Sequence, residues 1–141
     1  SDFEKLLLYS KDFPVVLCTR TNNHTILEGA NMGNFLKWGN WIVAKLVEVL
    51  FLTTQISDVG CTTRLLRAEV LREVLSTSRV GGSYFGLEMI ISLIKEKVQF
   101  IEIPIHYYPR VGESSVTGNF FRAFLLGLTM VGYVILRRVK G

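Results

Sequence analysis

Three arginines stand at points where a protein chain commonly binds an anion. Arg20, Arg64 and Arg110 each follow or end a segment that has the pattern of a helix or a strand. A guanidinium group can donate to two phosphate oxygens at once, and the hydroxyls of Ser114 and Ser115 could complete a cradle around the same phosphate. Each arginine could instead cap a helix or pair with a surface carboxylate, so phosphate binding is one of two interpretations.

Carboxylates and histidines form a second group of candidates. Asp58 could act as a general base, hold an acceptor hydroxyl, orient Arg64 by a charge-assisted hydrogen bond, or simply make a turn. Glu88 falls on the polar stripe of a predicted helix, where exposure to solvent explains it without a function. His24 and His106 have no metal-ligand spacing with either cysteine, and the sequence contains no Asp-x-Asp motif. The sequence therefore contains no recognisable metal site.

The elements that must position these side chains follow from the spacing of apolar residues. A continuous apolar run predicts a buried strand of a parallel sheet at 14–19, and an alternating pattern predicts a second strand at 101–108. Pro104 cannot donate to a ladder, so the second strand is interrupted or lies at an edge. The polar segment 57–64 is predicted to be a loop. The apolar pattern predicts helices over 3–10, 34–51, 87–97 and 119–141, and the Leu, Glu and Arg content predicts a short helix over 68–75.

This order of elements predicts an α/β fold. In open α/β sheets, ligands collect at the carboxyl ends of the strands, which is where Arg20 falls. The chain of 141 residues is 49% apolar and 20% charged, which suits one domain with a real core and excludes disorder and a disulfide scaffold. Cys18 and Cys61 are expected to be reduced, buried thiols, which favours the cytoplasm. A net charge of +4 without interleaved basic and aromatic residues gives no reason to expect a nucleic-acid partner.

The end of the chain is strongly apolar. The stretch Phe124–Leu136 would extend about 20 Å as a helix, against a hydrocarbon core of roughly 30 Å, so it is too short to cross a bilayer. The cations Arg137, Arg138 and Lys140 follow it and favour a helix in the membrane interface. Core packing, or a bridge to a transmembrane part downstream, would explain the same pattern.

Four segments, in this order and spacing, resemble the C-terminal half of a family 2 glycosyltransferase domain. Within that family they are most similar to the branch that includes dolichol-phosphate and other polyprenol-phosphate sugar transferases, and the resemblance extends over about residues 3–138. The segments are Val15-Val-Leu-Cys-Thr-Arg20, Ile56-Ser-Asp-Val-Gly-Cys-Thr-Thr-Arg64-Leu-Leu-Arg67, Phe85-Gly-Leu-Glu88 and Ile101-Glu-Ile-Pro-Ile-His-Tyr-Tyr-Pro-Arg110-Val-Gly-Glu-Ser114-Ser115.

The resemblance implies a fold of the GT-A type, of which residues 1–118 are the acceptor-side part. The nucleotide-binding half, with the ligands of a Mg²⁺ or Mn²⁺ ion, is then expected before Ser1, and 119–141 form an apolar helix that could lie at a membrane interface. The absence of an initiator Met and the opening in a helical pattern agree with a chain that begins inside a larger domain.

The resemblance also implies roles for single residues. It places Asp58 and Arg64 in a loop beside the reaction centre and Arg20 at a phosphate of the donor or acceptor. Arg110, Ser114 and Ser115 match a loop that binds phosphate or acceptor, and Glu88 and His106 are expected to support the site.

The chain departs from the family pattern at two points. Cys61-Thr-Thr stands where the family has Ser-Gly-aromatic, and Val116 stands where many polyprenol-phosphate enzymes have a lysine. Because that lysine would supply charge near a lipid phosphate, the acceptor could be polyprenol phosphate, a sugar hydroxyl of a glycan, or another lipid.

The implied function is transfer of a sugar, with inversion, from a nucleotide sugar to a lipid-linked or glycan acceptor in cell-envelope or glycolipid biosynthesis. The enzyme would lie at the cytoplasmic face of a membrane, peripheral or anchored, and this chain alone would be inactive. The alternative is a non-catalytic, membrane-associated binding or scaffold module with the same half-fold. Either form could be a homo-oligomer.

Overall fold

The computed structural model describes residues 1–21, 34–78, 81–106, 108 and 120–140. In these residues the protein is mixed α/β, with five α-helices and one three-stranded sheet. The elements in chain order are α1 (Asp2–Tyr9), β1 (Val15–Thr19), α2 (Asn34–Phe51), β2 (Arg64–Leu66), α3 (Ala68–Thr77), a 3₁₀ turn (Gly82–Tyr84), α4 (Phe85–Lys95), β3 (Phe100–Pro104) and α5 (Phe120–Val139).

The sheet has the strand order β2-β1-β3. β1 pairs in parallel with β3, from Val15 opposite Phe100 to Thr19 opposite Pro104, and antiparallel with β2. All five residues of β1 are buried because the strand has neighbours on both edges and cover on both faces. The buried strand predicted at 14–19 is confirmed, although its sheet is mixed rather than purely parallel.

Alternate residues of β1 enter two different cores. Val15 and Leu17 pack with α2, α4 and α5 in the larger cluster, while Val16 and Cys18 pack on the opposite face with Leu6 of α1. This alternation follows from the period of two in a strand. The two cores hold the carboxyl end of β1 in place from both sides.

Two predictions about strands needed correction. The polar segment 57–64 is not entirely a loop, since Arg64 begins β2. Three residues are too few to show a period, so nothing in the sequence separated β2 from the loop. The strand predicted at 101–108 ends at Pro104, and it lies at an edge of the sheet, as the proline predicted.

The helices cover the sheet and leave apolar side chains exposed. Every residue from 87 to 93 in α4 is buried, and α5 packs along α2 and contributes Val134 to the larger core. Both α2 and α5 nevertheless expose large apolar side chains, among them Phe35, Ile42, Phe121 and Leu128. None of the helices in the described ranges combines the length and hydropathy needed to cross a bilayer.

Both cysteines are free thiols in the interior, as predicted. Burial raises the pKa of Cys18 to about 12 and also raises the pKa of Cys61, so these thiols resist conversion to reactive thiolates.

Candidate functional site

A buried ion pair lies at the carboxyl end of β1. Arg20 donates from Nε to Asp58 Oδ2 at 3.0 Å and from Nη2 to Oδ1 at 3.2 Å, and its backbone N–H donates to Oδ2 at 3.1 Å. Gly60 N donates to Oδ1 at 3.0 Å, and none of the Asp58 side chain is exposed. Among the interpretations of Asp58, the bond to Arg64 is therefore wrong, because the carboxylate orients Arg20. The role of Asp58 as a general base stays a prediction, and it would require the ion pair with Arg20 to open.

Arg64 donates to three main-chain oxygens and to the sulfur of Met89. Its Nε donates to Cys61 O at 3.0 Å, Nη1 to Gly86 O at 2.7 Å and Nη2 to Val59 O at 3.3 Å. A Cβ at Gly86 would lie 2.9 Å from Nη2, so a larger residue there would require the Arg64 guanidinium to shift. Burial lowers the pKa of Arg64. Arg64 thus fastens the loop after Asp58 to α4, and its predicted contact with a phosphate stays a prediction.

Four predicted polar residues, His24, Arg110, Ser114 and Ser115, lie outside the described residues. Of the three predicted phosphate-binding arginines, the structure therefore places two. Arg20 and Arg64 both hold the same loop, one through Asp58 and the other through backbone carbonyls.

The sequence analysis missed Glu102, a carboxylate that organises this loop. Glu102 Oε1 accepts from the backbone N–H groups of Ser57 and Asp58 at 3.0 and 3.1 Å. Its Oε2 accepts from Ser57 N at 2.9 Å and lies 2.7 Å from Ser57 Oγ. The only signal was its place on the polar face of the edge strand. Glu102 joins β3 to the beginning of the loop that carries Asp58.

Three hydroxyl groups continue this network. Ser57 Oγ lies 2.8 Å from Thr19 Oγ1 and 3.2 Å from Thr21 Oγ1, and the two threonine oxygens are 2.9 Å apart. Because Ser57 has a single hydroxyl hydrogen, donation to the Glu102 carboxylate, the stronger bond, leaves its lone pairs to the threonines. The result is a small polar floor formed by Thr19 at the end of β1, Thr21, Ser57 and, within β3, Glu102.

This floor opens into a cleft of about 790 Å³. Thr19, Ser57 and Glu102 lie at its base, and Trp38 and Trp41 of α2 line one side. The indole rings are 5.7 Å apart and nearly perpendicular, at 82°. Large clefts that combine aromatic walls with a few converging polar groups are common ligand sites.

A second cavity, of about 310 Å³, lies between α2 and α5. Its lining is almost entirely apolar and includes Phe35, Ile42, Phe124 and Leu128. Since Trp38 and Trp41 line the polar cleft, the helix α2 separates the cleft from an apolar groove.

Of the two interpretations of Glu88, exposure to solvent is wrong, and a role in supporting the site stays a prediction. Glu88 is 1% exposed and accepts from Tyr133 Oη of α5 at 2.6 Å, and Arg137 Nε lies 3.1 Å from the same oxygen. Burial, followed by the bond to Glu88, raises the pKa of Tyr133 to about 12. The polar stripe of α4 therefore faces α5, because α5 supplies partners for it.

His106 follows β3 and connects it to the first helix. Its backbone N–H donates to Asp2 Oδ2 at 3.1 Å, and its Nδ1 lies 3.0 Å from Asp2 Oδ1. The Lys5 and His106 bonds lower the pKa of Asp2 against the opposing effect of its burial. The contact ties α1 to the end of β3, and a supporting role in a reaction stays a prediction.

The carboxylates of this site do not fit a cation. The oxygens of Asp58 and Glu102 already accept from Arg20, from Ser57 and from loop amides. Within the described part of the chain, no three His, Cys, Asp or Glu side chains are grouped so that they could hold a metal ion.

Comparison with models of protein families gives no match, and comparison with solved structures gives none.

Proposed function

We propose that this chain is the acceptor-side part of a GT-A glycosyltransferase domain that transfers a sugar, with inversion, from a nucleotide sugar to a lipid-linked acceptor. The observation that carries the proposal is the arrangement around α2, which has a polar cleft on one side and an apolar groove on the other. The resemblance in the sequence names the reaction, and the arrangement favours the acceptor class.

A lipid-linked acceptor has a polar reactive end and a long apolar chain. The cleft borders the edge strand β3 from Phe100 to Pro104 and reaches Thr19 at the carboxyl end of β1, and α/β proteins usually bind polar ligands near such strand ends. The groove offers Phe124 and Leu128, which are about half exposed, to an apolar chain. One helix thus separates a polar cleft, in which the transferred sugar can lie, from an apolar groove that can take the lipid chain.

The state of Asp58 favours an acceptor that is already ionised. A hydroxyl acceptor must lose its proton to a base, whereas a phosphate needs none. Asp58 is enclosed and accepts from Arg20 and Gly60 with both oxygens, so it is poorly placed to receive a proton. A lipid phosphate therefore fits the site better than a glycan hydroxyl.

The proposal requires residues outside the described part of the chain. A nucleotide-binding half and the ligands of a divalent cation would have to come from residues before Ser1 in the complete protein, because Asp58 and Glu102 are already engaged. The loop that contains Arg110, Ser114 and Ser115 would bind the acceptor or donor phosphate.

A position at the cytoplasmic face of a membrane, peripheral or anchored, belongs to the same proposal. The helix α5 exposes Phe121, Leu125 and Leu128 to solvent, and Arg138 and Lys140 follow at its end. Exposed apolar side chains beside cations are typical of helices that lie on anionic bilayers.

The test is sugar transfer by the complete natural protein. Labelled nucleotide sugars are incubated with a short-chain polyprenyl phosphate and, separately, with a soluble glycan. We expect label in the lipid product, and we expect the double variant Phe124→Ser, Leu128→Ser to lower that transfer at least tenfold. Leu75→Ser, which changes an equally exposed leucine on α3, is the matched control and should transfer normally. Transfer to the glycan alone would contradict the proposed acceptor.

The second candidate is a non-catalytic, membrane-associated scaffold. It is favoured by the internal bonding of Arg20, Arg64 and Asp58, each of which has a sufficient structural role in holding one loop. In the same experiment a scaffold would transfer no label from any nucleotide sugar, yet would float with anionic vesicles.

A further inference from the structure

We propose that the cleft beside Trp38 and Trp41 is a binding site for a neutral pyranose ring. This inference rests on the proposed function, because it identifies the cleft as the place of a sugar in that reaction. It depends on the two indoles, the hydroxyl floor and the charge of the lining.

The two tryptophans form an aromatic corner in the lining of the cleft. Trp38 is 60% exposed and Trp41 is 40% exposed, although both have a large apolar surface. A pyranose ring has C–H groups on its faces and hydroxyl groups around its rim. Its face can therefore cover an indole while the rim remains free to form hydrogen bonds. Because the two indoles are nearly perpendicular, one ring can stack on a face of the sugar while the other contacts its edge.

The base of the cleft suits a ligand with several hydroxyl groups. Thr19, Thr21 and Ser57 place three hydroxyl oxygens within 3.2 Å of one another, and all three residues line the cleft. A hydroxyl both donates and accepts, so this floor can match sugar hydroxyls in several orientations.

The charges of the lining favour a neutral ligand over a diphosphate. Among the described lining residues, the charged ones are Lys37 and Glu102, whose formal charges cancel. Arg20 and Arg64 are not among those lining residues, and they donate to Asp58 and to backbone oxygens. The cavity, about 790 Å³, lies within the range of about 300–1,000 Å³ usual for small-molecule sites.

The experiment uses the intrinsic fluorescence of the 141-residue chain, in which Trp38 and Trp41 are the only tryptophans. The protein is titrated with methyl α-mannopyranoside, methyl β-glucopyranoside, uridine and uridine diphosphate in separate series. We expect a saturable change in emission with at least one pyranoside and none with uridine or its diphosphate. A response to uridine alone, or none to either pyranoside, would overturn the inference.

Variants locate the site, and ligand-detected NMR measures their affinity without depending on the fluorophore. Trp38→Ala should weaken pyranoside binding about tenfold, and Thr21→Val about fivefold, as expected for the loss of a stacking surface or of one hydrogen bond. Phe35→Ala lies on α2 but lines the apolar groove, so it is the matched control and should bind normally. Circular dichroism confirms that each variant is folded, and equal affinity in Trp38→Ala and Phe35→Ala would contradict the site.

The two proposals fail in different ways. Pyranoside binding without sugar transfer by the complete protein would refute the proposed function and leave the binding site in place. Transfer to the lipid acceptor without pyranoside binding to the cleft would refute only the sugar site.

Discussion

Two buried carboxylates in this molecule, Asp58 and Glu88, are bonded very differently. Asp58 accepts from two backbone N–H groups and from two nitrogens of the Arg20 guanidinium. Glu88 accepts from the Tyr133 hydroxyl, and Arg137 Nε is 3.1 Å away without the alignment of a hydrogen bond. Asp58 fixes a loop, whereas Glu88 joins two helices.

The polar groups around Glu88 are also less completely hydrogen-bonded than those around Asp58. Ser92 Oγ and Lys95 Nζ, on the same helix as Glu88, are buried without a hydrogen-bond partner. Burial, and then repulsion by Arg137, lowers the pKa of Lys95. Polar groups buried without partners weaken a fold, while fully bonded ones make it rigid. Hydrogen bonds therefore hold the loop that carries Asp58 more firmly than they hold α4 against α5.

The largest effect is expected at the Asp58 pair. Asp58→Ala removes the buried carboxylate that the partly exposed Arg20 cation contacts and the acceptor of two backbone N–H groups, so the free energy of unfolding should fall by about 2–4 kcal/mol. Urea denaturation followed by circular dichroism measures this fall.

Because Asp58→Ala alone could prevent folding, the double variant Arg20→Ala, Asp58→Ala is measured beside it. If the two side chains act as a pair, the double variant should lose less free energy than the two single losses added together. A loss below about 1 kcal/mol for Asp58→Ala would show that the loop does not depend on this pair.

A smaller effect is expected from Tyr133→Phe. The change removes the hydroxyl that donates to Glu88 but keeps the ring, so the free energy of unfolding should fall by about 1.5 kcal/mol. The same denaturation experiment measures it. A loss as large as that of Asp58→Ala would contradict the inference that Glu88 is more weakly bonded than Asp58.

The same variant should change the response to alkali. Because the pKa of Tyr133 is raised from 10.0 to about 12 in the folded protein, the folded state keeps its phenolic proton more tightly than the unfolded chain. The contribution of Tyr133 to stability is therefore complete below pH 10 and is lost as the pH rises from about 10 to 12. Cys18 titrates in both proteins, so the difference between them isolates Tyr133. If the stabilities of the two proteins changed in parallel from pH 10 to 12, the pKa of Tyr133 would not be raised in the folded state.

The smallest effect is expected from Ser92→Ala, and in the opposite direction. Its buried hydroxyl forms no hydrogen bond, so its removal should raise the free energy of unfolding by about 0.5–1 kcal/mol. Ser76→Ala is the matched control, since Ser76 Oγ is in an exposed helix and donates to Glu73 O. Destabilisation by Ser92→Ala would indicate that this hydroxyl has a partner and that the α4–α5 contact is better bonded than we infer.

Much of the fold could be predicted because local patterns reflect local physics. Apolar spacing and, for α3, composition predicted the five helices in the described residues, and α2 begins and ends where its pattern does. The continuous apolar run identified β1, and Pro104 marked an edge strand because it lacks the backbone donor that a central strand needs. The strand β2 was not predicted, because its three residues are too few to show an alternating pattern.

The site was less predictable, because its contacts join residues that are far apart in the chain. Asp58 pairs with Arg20 across 38 positions, although Arg64 lies only six positions away in the sequence. Glu102 was missed because a carboxylate on the polar face of an edge strand usually faces solvent. Here the loop after α2 brings the amides of Ser57 and Asp58 to it.

The sequence by itself determined the five helices and two of the three strands of the described residues, and that both cysteines would be buried. Only the tertiary structure decided the partner of each charged side chain, as Glu88 shows: its helical position was predicted correctly, and its exposure was not. The physical reason is one of range. The period of a helix or strand is set within a few residues, whereas burial of a charge depends on the donors that distant elements bring to it.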